Sequence, residues 1–161
     1  MKLTHIDDHG SAKMVDVSEK PKTERIAVAA GRVLVTPETF ALIRENRIKK
    51  GDVLATARIA AVMAAKKTPE LIPLAHPIPI SEVSADFELD EEHYAVDITV
   101  TARAVWRTGV EMEAIVGVVT AAATIYDMVK AVDRTAVITD VRLLEKSGGK
   151  SGTFIREENR P

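Results

Sequence analysis

Two runs of alternating apolar and polar residues meet at Asp90-Glu91-Glu92, and they oblige this chain to build around an antiparallel pair of strands. The first covers about residues 80 to 89, with Val83, Ala85, Phe87 and Leu89 in register; the second covers about 93 to 105, with Tyr94, Val96, Ile98, Val100 and Ala102. A period of two places each apolar set on one face, and the short acidic turn closes a hairpin. Just before it, Leu71 to Pro79 carries Pro73, Pro77 and Pro79. Proline fixes φ and lacks an N–H, so this segment is neither a regular helix nor a central strand.

The remaining elements fall in place around the hairpin. Residues 24 to 35 read as a strand in which Ile26, Val28 and Ala30 alternate, Gly31 interrupts, and Val33 and Val35 resume, which marks Gly31 as a bulge candidate. Thr36-Pro37 starts a helix, with Thr as cap and Pro at its first position, and this helix stops before Gly51. Asp52 caps a second helix through Lys66, whose Ala57, Ala60, Ala61 and Ala64 allow a neighbour to approach closely. The longest helix is predicted from about Gly109 to Ala131, and a last strand from about 136 to 145. Residues 1 to 23 read as a polar N-terminal arm, and Lys146 to Pro161 as a Gly- and Lys-rich tail, mobile without a ligand. The order β-α-α-β-β-α-β, with the early helices counted as one crossover, is a split βαβ: an α+β, ferredoxin-like fold with helices on one face of an antiparallel sheet. The hairpin strands offer apolar side chains beyond what three helices cover, so an oligomer is expected.

At 161 residues the chain fits a single domain, 1–161, with a substantial core. Lys plus Arg total 22 against 24 Asp plus Glu, a formal charge of −2, which argues against a nucleic-acid binder. There is no cysteine, which removes disulfides, thiolate nucleophiles and Cys-ligated metals. No apolar run is expected to approach the ~18 residues of a membrane span, and the start lacks a signal-peptide core. A cytoplasmic protein without membrane contact is the expectation.

Lys146-Ser147-Gly148-Gly149-Lys150-Ser151-Gly152 invites comparison with a P-loop, but the required earlier glycine is replaced by Leu144 and no helix follows. What survives is a set of glycines and two lysines able to approach an anion; a flexible charged tail is the plainer reading. Glu111 and Glu113 open the longest helix, where acids suit the dipole, yet a glycine-preceded pair flanking Met112 exceeds that need. Asp127 and Lys130 share a helix face, ordinarily a solvated ion pair. Stepping back from Asp127 by helical spacing gives Thr124, Thr120, Gly117 and Glu113, a polar-and-small stripe that suggests a cleft lining. Fourteen residues part the end carboxylates, roughly 21 Å along a helix, so one compact centre in one subunit cannot readily use both. His76, held between Ala75 and Pro77, is either structural or a proton-transfer group near neutral pH. Lys49, Lys50, Lys66 and Lys67 frame the second helix, and no His/Asp/Glu spacing resembles a dedicated metal site.

Taken in order, Leu3-Thr4-His5, Met14 to Ser18, Lys50 to Ala60, Ala64-Ala65-Lys66, Leu71 to Pro77, Thr108 to Ala114, Thr124 to Ala131 and Lys146 to Gly152 resemble one family closely: molybdenum-cofactor biosynthesis protein C, the cyclic pyranopterin monophosphate synthases. The resemblance spans almost the whole chain. It implies a ferredoxin-like subunit paired into dimers, three of which make a homohexamer with active sites at the dimer interface. It also implies the reaction, rearrangement of 3′,8-cyclo-7,8-dihydroguanosine 5′-triphosphate to cyclic pyranopterin monophosphate with release of diphosphate, the substrate coming from an upstream radical enzyme. By resemblance Asp127 is the acid/base, with Lys130 beside it for proton transfer or phosphate stabilisation. His76, Glu111, Glu113 and Lys50 join the catalytic set. Leu74, Ala75, Met112, Lys66, Lys146 and Lys150, with His76 and Glu113, match substrate-binding positions, and Asp16 and Arg25 do so more weakly. No resident cofactor or metal is implied; whether magnesium accompanies the triphosphate is left open. Two positions depart from the family, Ala75 and Val129, where cysteine is common, so neither thiol is needed for the chemistry. The alternative is a non-catalytic ferredoxin-like nucleotide sensor, which accounts for the lysines but not for Asp127, His76 and Glu113 beside them.

Overall fold

The computed structural model describes residues 9–150 and 152–157; residues 1–8 of the arm, and 151 and 158–161 of the tail, lie outside it. The elements are β1 (Thr23–Leu34), α1 (Pro37–Arg44), α2 (Val53–Lys66), the one-turn α3 (Thr68–Leu71), β2 (Ile80–Asp90), β3 (Ala95–Trp106), α4 (Glu111–Val129), β4 (Val137–Ser147) and β5 (Phe154–Ile155). They form one five-stranded sheet in the order β2-β3-β1-β4-β5, each pair antiparallel. β1 and β2 thus run parallel with β3 inserted between them, the split βαβ arrangement.

Local signals set the helix starts. Thr36 accepts the N–H of Thr39 at 3.3 Å at the head of α1, and Asp52 accepts that of Ala55 at 2.9 Å at the head of α2. Each satisfies a donor that the first helical turn leaves orphaned. α2 occupies its expected range, whereas α4 is shorter than 109–131, because Gly109 stays outside the helix and packs against the Glu111 carboxylate.

α4 is the centrepiece of the core, lying on β1, β3 and β4 with α2 alongside. Its Ala114, Val118, Ala121, Ala122, Ile125 and Val129 are fully buried against Ala29, Val33, Ile98 and Val100 of the sheet and Ala57 and Ala61 of α2. Burying each large aliphatic side chain contributes about 1.5–3 kcal/mol. At 19 residues α4 is long and apolar enough to cross a membrane, yet 56% of its apolar stretch is buried within the protein, as in a core helix. Gly31 is the expected bulge: pairing with β4 shifts between Ala30 and Arg32. A Cβ there would lie 2.5 Å from Val118 Cγ1, so α4 also depends on the missing side chain.

Three expectations change. The hairpin strands carry little surplus apolar surface apart from Val105, 58% exposed near the end of β3: Val96, Ile98, Val100 and Ala102 are buried in the core, while register sets Ser84, Asp86 and Glu88 beside Thr101, Thr99 and Asp97 on the outer face. Further exposed apolar residues sit on α2 (Ile59, Met63), α4 (Val119) and β4 (Val137, Ile138, Val141). The tail starts inside the sheet, since Lys146 and Ser147 belong to β4 and Phe154–Ile155 return to pair with it. Finally, the stripe from Glu113 to Asp127 is not a continuous cleft: a Cβ at Gly117 would meet Val100 at 3.0 Å and the Ala61 carbonyl at 3.5 Å, so its centre is packed shut.

Candidate active site

The first turn of α4 faces an open cleft built of two adjoining hollows. The larger, of about 530 Å³, lies between Arg107-Thr108-Gly109-Glu111 and Lys146 to Lys150, with Arg25 and Lys20 also lining it. The smaller, of about 310 Å³, is bounded by Val15 and Val17 of the arm, by Leu74, Ala75 and His76 of the proline segment, and by Met112 and Glu113. Lys20, Thr108, Gly109 and Glu111 line both. Each wall has a local cause. A turn closed by the Ala75 N–H on the Ile72 carbonyl at 3.0 Å leads the proline segment into the cleft, β3 ends at Trp106, and β4 delivers Lys146 opposite Ala27 before positive-φ glycines turn the chain.

Glu111 and Lys146 meet across the cleft at 2.7 Å. Gly109 makes room for this arrangement, because a Cβ there would collide with the Glu111 carboxylate. Glu113, only 2% exposed, differs sharply. Burial, with the neighbouring Glu111 charge, pushes its pKa up from 4.5 to about 7. A helix N-terminus favours carboxylate by about 0.3–1 kcal/mol, so desolvation wins. Glu113 is therefore near half-protonation at neutral pH, suited to giving and taking protons. The His76 ring nitrogen Nε2 lies 2.7 Å from the Val15 carbonyl. A carbonyl only accepts, so Nε2 is the donor in this contact.

Asp127 stands at the opposite end of α4. Lys130 Nζ contacts its Oδ1 at 2.6 Å and Lys50 Nζ its Oδ2 at 3.1 Å, with Lys50 also donating to the Asp127 carbonyl. The Lys130 hydrogen bond, then that of Lys50, holds the Asp127 carboxyl below its ordinary pKa, and Asp127 in return raises that of Lys130. All three side chains are substantially exposed. This is an open, cationic patch rather than a buried pair.

Of the residues singled out in the sequence, Leu74, Ala75, His76, Glu111, Met112, Glu113, Lys146, Lys150 and Arg25 come together in the cleft. Lys50, Asp127 and Lys130 form the second group. Lys66 is exposed at the end of α2 and lines neither hollow. Asp16 is exposed too, and the Ser18 hydrogen bonds hold its pKa down. Sequence reasoning missed Lys20 and Arg107. Lys20 lies in an arm without periodicity; Arg107 directly precedes the Thr108-Gly109 motif, was a legible neighbour, and donates to the Ser18 carbonyl.

A split-βαβ subunit whose buried Glu113, with its pKa raised to about 7, borders a cleft that also presents Lys20, Arg25, Lys146 and Lys150 has the groups of an acid–base enzyme. Comparison with known proteins gives the class its family. The MoaC family model matches residues 14–149, and the chain belongs to that family. It is 55% identical over 157 residues to the cyclic pyranopterin monophosphate synthase of Thermomicrobium roseum, covering 98% of this chain and 95% of that one. It is 57% identical over 155 residues to the enzyme of the same description from Streptomyces coelicolor, covering 96% and 90%. The Clostridium perfringens SM101 relative is 56% identical over 153 residues, covering 95% and 97%.

Proposed function

We propose that this chain converts 3′,8-cyclo-7,8-dihydroguanosine 5′-triphosphate to cyclic pyranopterin monophosphate and diphosphate, as a cytoplasmic homohexamer of three dimers and without a resident cofactor. The observation that carries the reading is Glu113, a buried carboxyl with its pKa raised to about 7, on the wall of the smaller hollow that adjoins the one lined by Arg25, Lys146 and Lys150. Opening and re-closing the purine-derived ring moves several protons, which Glu113, Glu111 and His76 can share. Closing the cyclic phosphate breaks the bond between the α-phosphorus and the diphosphate, whose developing charge Lys146, Lys150, Lys50 and Lys130 are suited to meet. The attacking hydroxyl gives up its proton, and Asp127, ionised between two lysines, is the acceptor we assign.

One subunit does not place both groups on one substrate, because α4 holds Glu113 and Asp127 fourteen positions, or roughly 21 Å, apart. A dimer in which the Asp127 end of one copy completes the cleft of another removes that difficulty. Purified protein given the cyclised triphosphate should release diphosphate, while Asp127→Ala and Lys130→Ala should not. Nucleotide bound and returned unchanged by the wild type would replace the synthase with a sensor. Equal turnover with and without a chelator would show that magnesium is dispensable.

A further inference from the structure

Arg25 is a buried guanidinium without a carboxylate. It stands on β1 opposite Ala104, is 8% exposed, and forms no ion pair with an acid among the described residues. Buried charges are ordinarily paired. Its donors go instead to main-chain oxygens: Nε to Trp106 at 3.2 Å, Nη2 to Arg107 at 3.4 Å, and Nη1 to Gly148 at 3.1 Å. Trp106 and Arg107 lead into the wall that carries Glu111; Gly148 begins the opposite wall, between Lys146 and Lys150. One planar fork therefore ties both sides of the larger hollow together across its floor.

The loop is shaped to this fork. Gly148 and Gly149 have φ of +97° and +75°, in the region that favours glycine. A Cβ at Gly149 would collide with Arg25 Nη1, and one at Gly148 with the Glu24 carbonyl. The glycines thus serve close approach to β1 as well as the turn.

We propose that Arg25 is the positioning residue of the cleft, fixing the 106–111 and 146–150 walls at the spacing that sets Lys146 and Lys150 against the substrate. This rests on the synthase reading of the cleft. A direct ligand would need its donors free, and Arg25 spends three of its five on the walls. Lysine keeps the charge but has no rigid fork to hold three carbonyls at once. Misplacing a catalytic or binding group by ~1 Å costs up to about 10²-fold.

The test pairs steady-state diphosphate release with amide hydrogen exchange in wild type, Arg25→Lys, Arg25→Ala and Gly149→Ala. Both Arg25 variants should raise KM about tenfold or more with a smaller fall in kcat, the split expected when substrate positioning is lost. Amides of 106–109 and 147–150 should exchange faster while β2 and β3 away from the cleft stay protected. Added guanidinium should restore KM in Arg25→Ala but not in Gly149→Ala, which pushes on the same contact from the loop with Arg25 intact. A merely structural arginine would lower stability without a KM shift or this rescue. Wild-type KM and exchange in Arg25→Lys would overturn the proposal, as would unchanged loop exchange in all three variants. A wild type that releases no diphosphate would sink the synthase reading alone, since the exchange measurement still decides the clamp.

Discussion

Glu113 and Asp127 stand on one helix, yet the fold holds them in opposite states. Glu113 is buried and its pKa rises to about 7; Asp127 is open to solvent and its pKa is pulled down by Lys130 and Lys50. The first can exchange protons near neutral pH, whereas the second is a carboxylate under the same conditions. Burial, more than residue type, divides the work between them. The difference also teaches where tolerance lies, since a change at the exposed end disturbs no packing and one at the buried end disturbs both packing and charge.

The sharpest way to break this comparison is Asp127→Ala. Turnover should fall by about 10³-fold or more, on the scale of losing a group that acts only in the transition state, while thermal stability stays near wild type because the side chain is exposed. A variant that keeps its activity would remove Asp127 from the chemistry.

Glu113→Gln comes next, with a loss of about 10²-fold expected from general acid–base catalysis. Its stability signature is more particular. The folded pKa of about 7 lies above the ordinary 4.5, so the folded state holds this proton more tightly. The associated stability is fully present below pH 4.5 and is lost as pH rises through 7, amounting to about 3 kcal/mol. Gln titrates nothing. The gap between wild type and Glu113→Gln in denaturant unfolding should therefore shift in favour of the variant between pH 5 and pH 8. A gap independent of pH would place Glu113 in an ordinary carboxylate environment.

How much of this was legible in the sequence follows from the range of each interaction. Thr36 and Asp52 cap helices through atoms three residues away, so their role reads off directly. Gly31 interrupts an alternation and is the bulge. The acids flanking Met112 stood out because the dipole explains one but not the pair. By contrast, Arg25 reaches Trp106 and Gly148, 81 and 123 positions away, through a register that exists only once β1 has β3 on one side and β4 on the other. Gly117 misled for a different reason: a small residue on a helix face signals either a cleft or a close contact, and here Ala61 and Val100 fill the space. Thr124 turns its hydroxyl to the Thr120 carbonyl at 2.7 Å, so its polarity is spent within the helix. β5 has two residues, too few for any period to show.

The exposed end of α4 has a buried anchor just beyond it. Asp133, 3% exposed, accepts the N–H of Thr36 at 2.8 Å and both the N–H and hydroxyl of Thr135, joining the start of α1 to the loop before β4. Burial alone would raise its pKa, but these bonds outweigh it and the pKa is lowered. Its contribution is thus present above pH 3.8 and lost as pH falls through the folded value. Asp133→Ala should cost about 2 kcal/mol by leaving buried donors unpaired, with activity preserved in protein that remains folded. Loss of activity in folded protein would extend the Asp127 group to this loop.

The mildest test acts between the two ends. Gly117→Ala places a methyl 3.0 Å from Val100 Cγ1, tight but against a side chain, and at an ordinary 3.5 Å from the Ala61 carbonyl. Replacing glycine inside a helix favours folding by about 1 kcal/mol, against a similar cost for crowding the core. The two nearly cancel, so unfolding should move by less than about 1 kcal/mol in either direction. Turnover should hold, because the middle of α4 is packed shut and reaches neither carboxylate. A large loss of activity with unchanged stability would mean that a substrate does run along the helix, joining the two ends within one subunit.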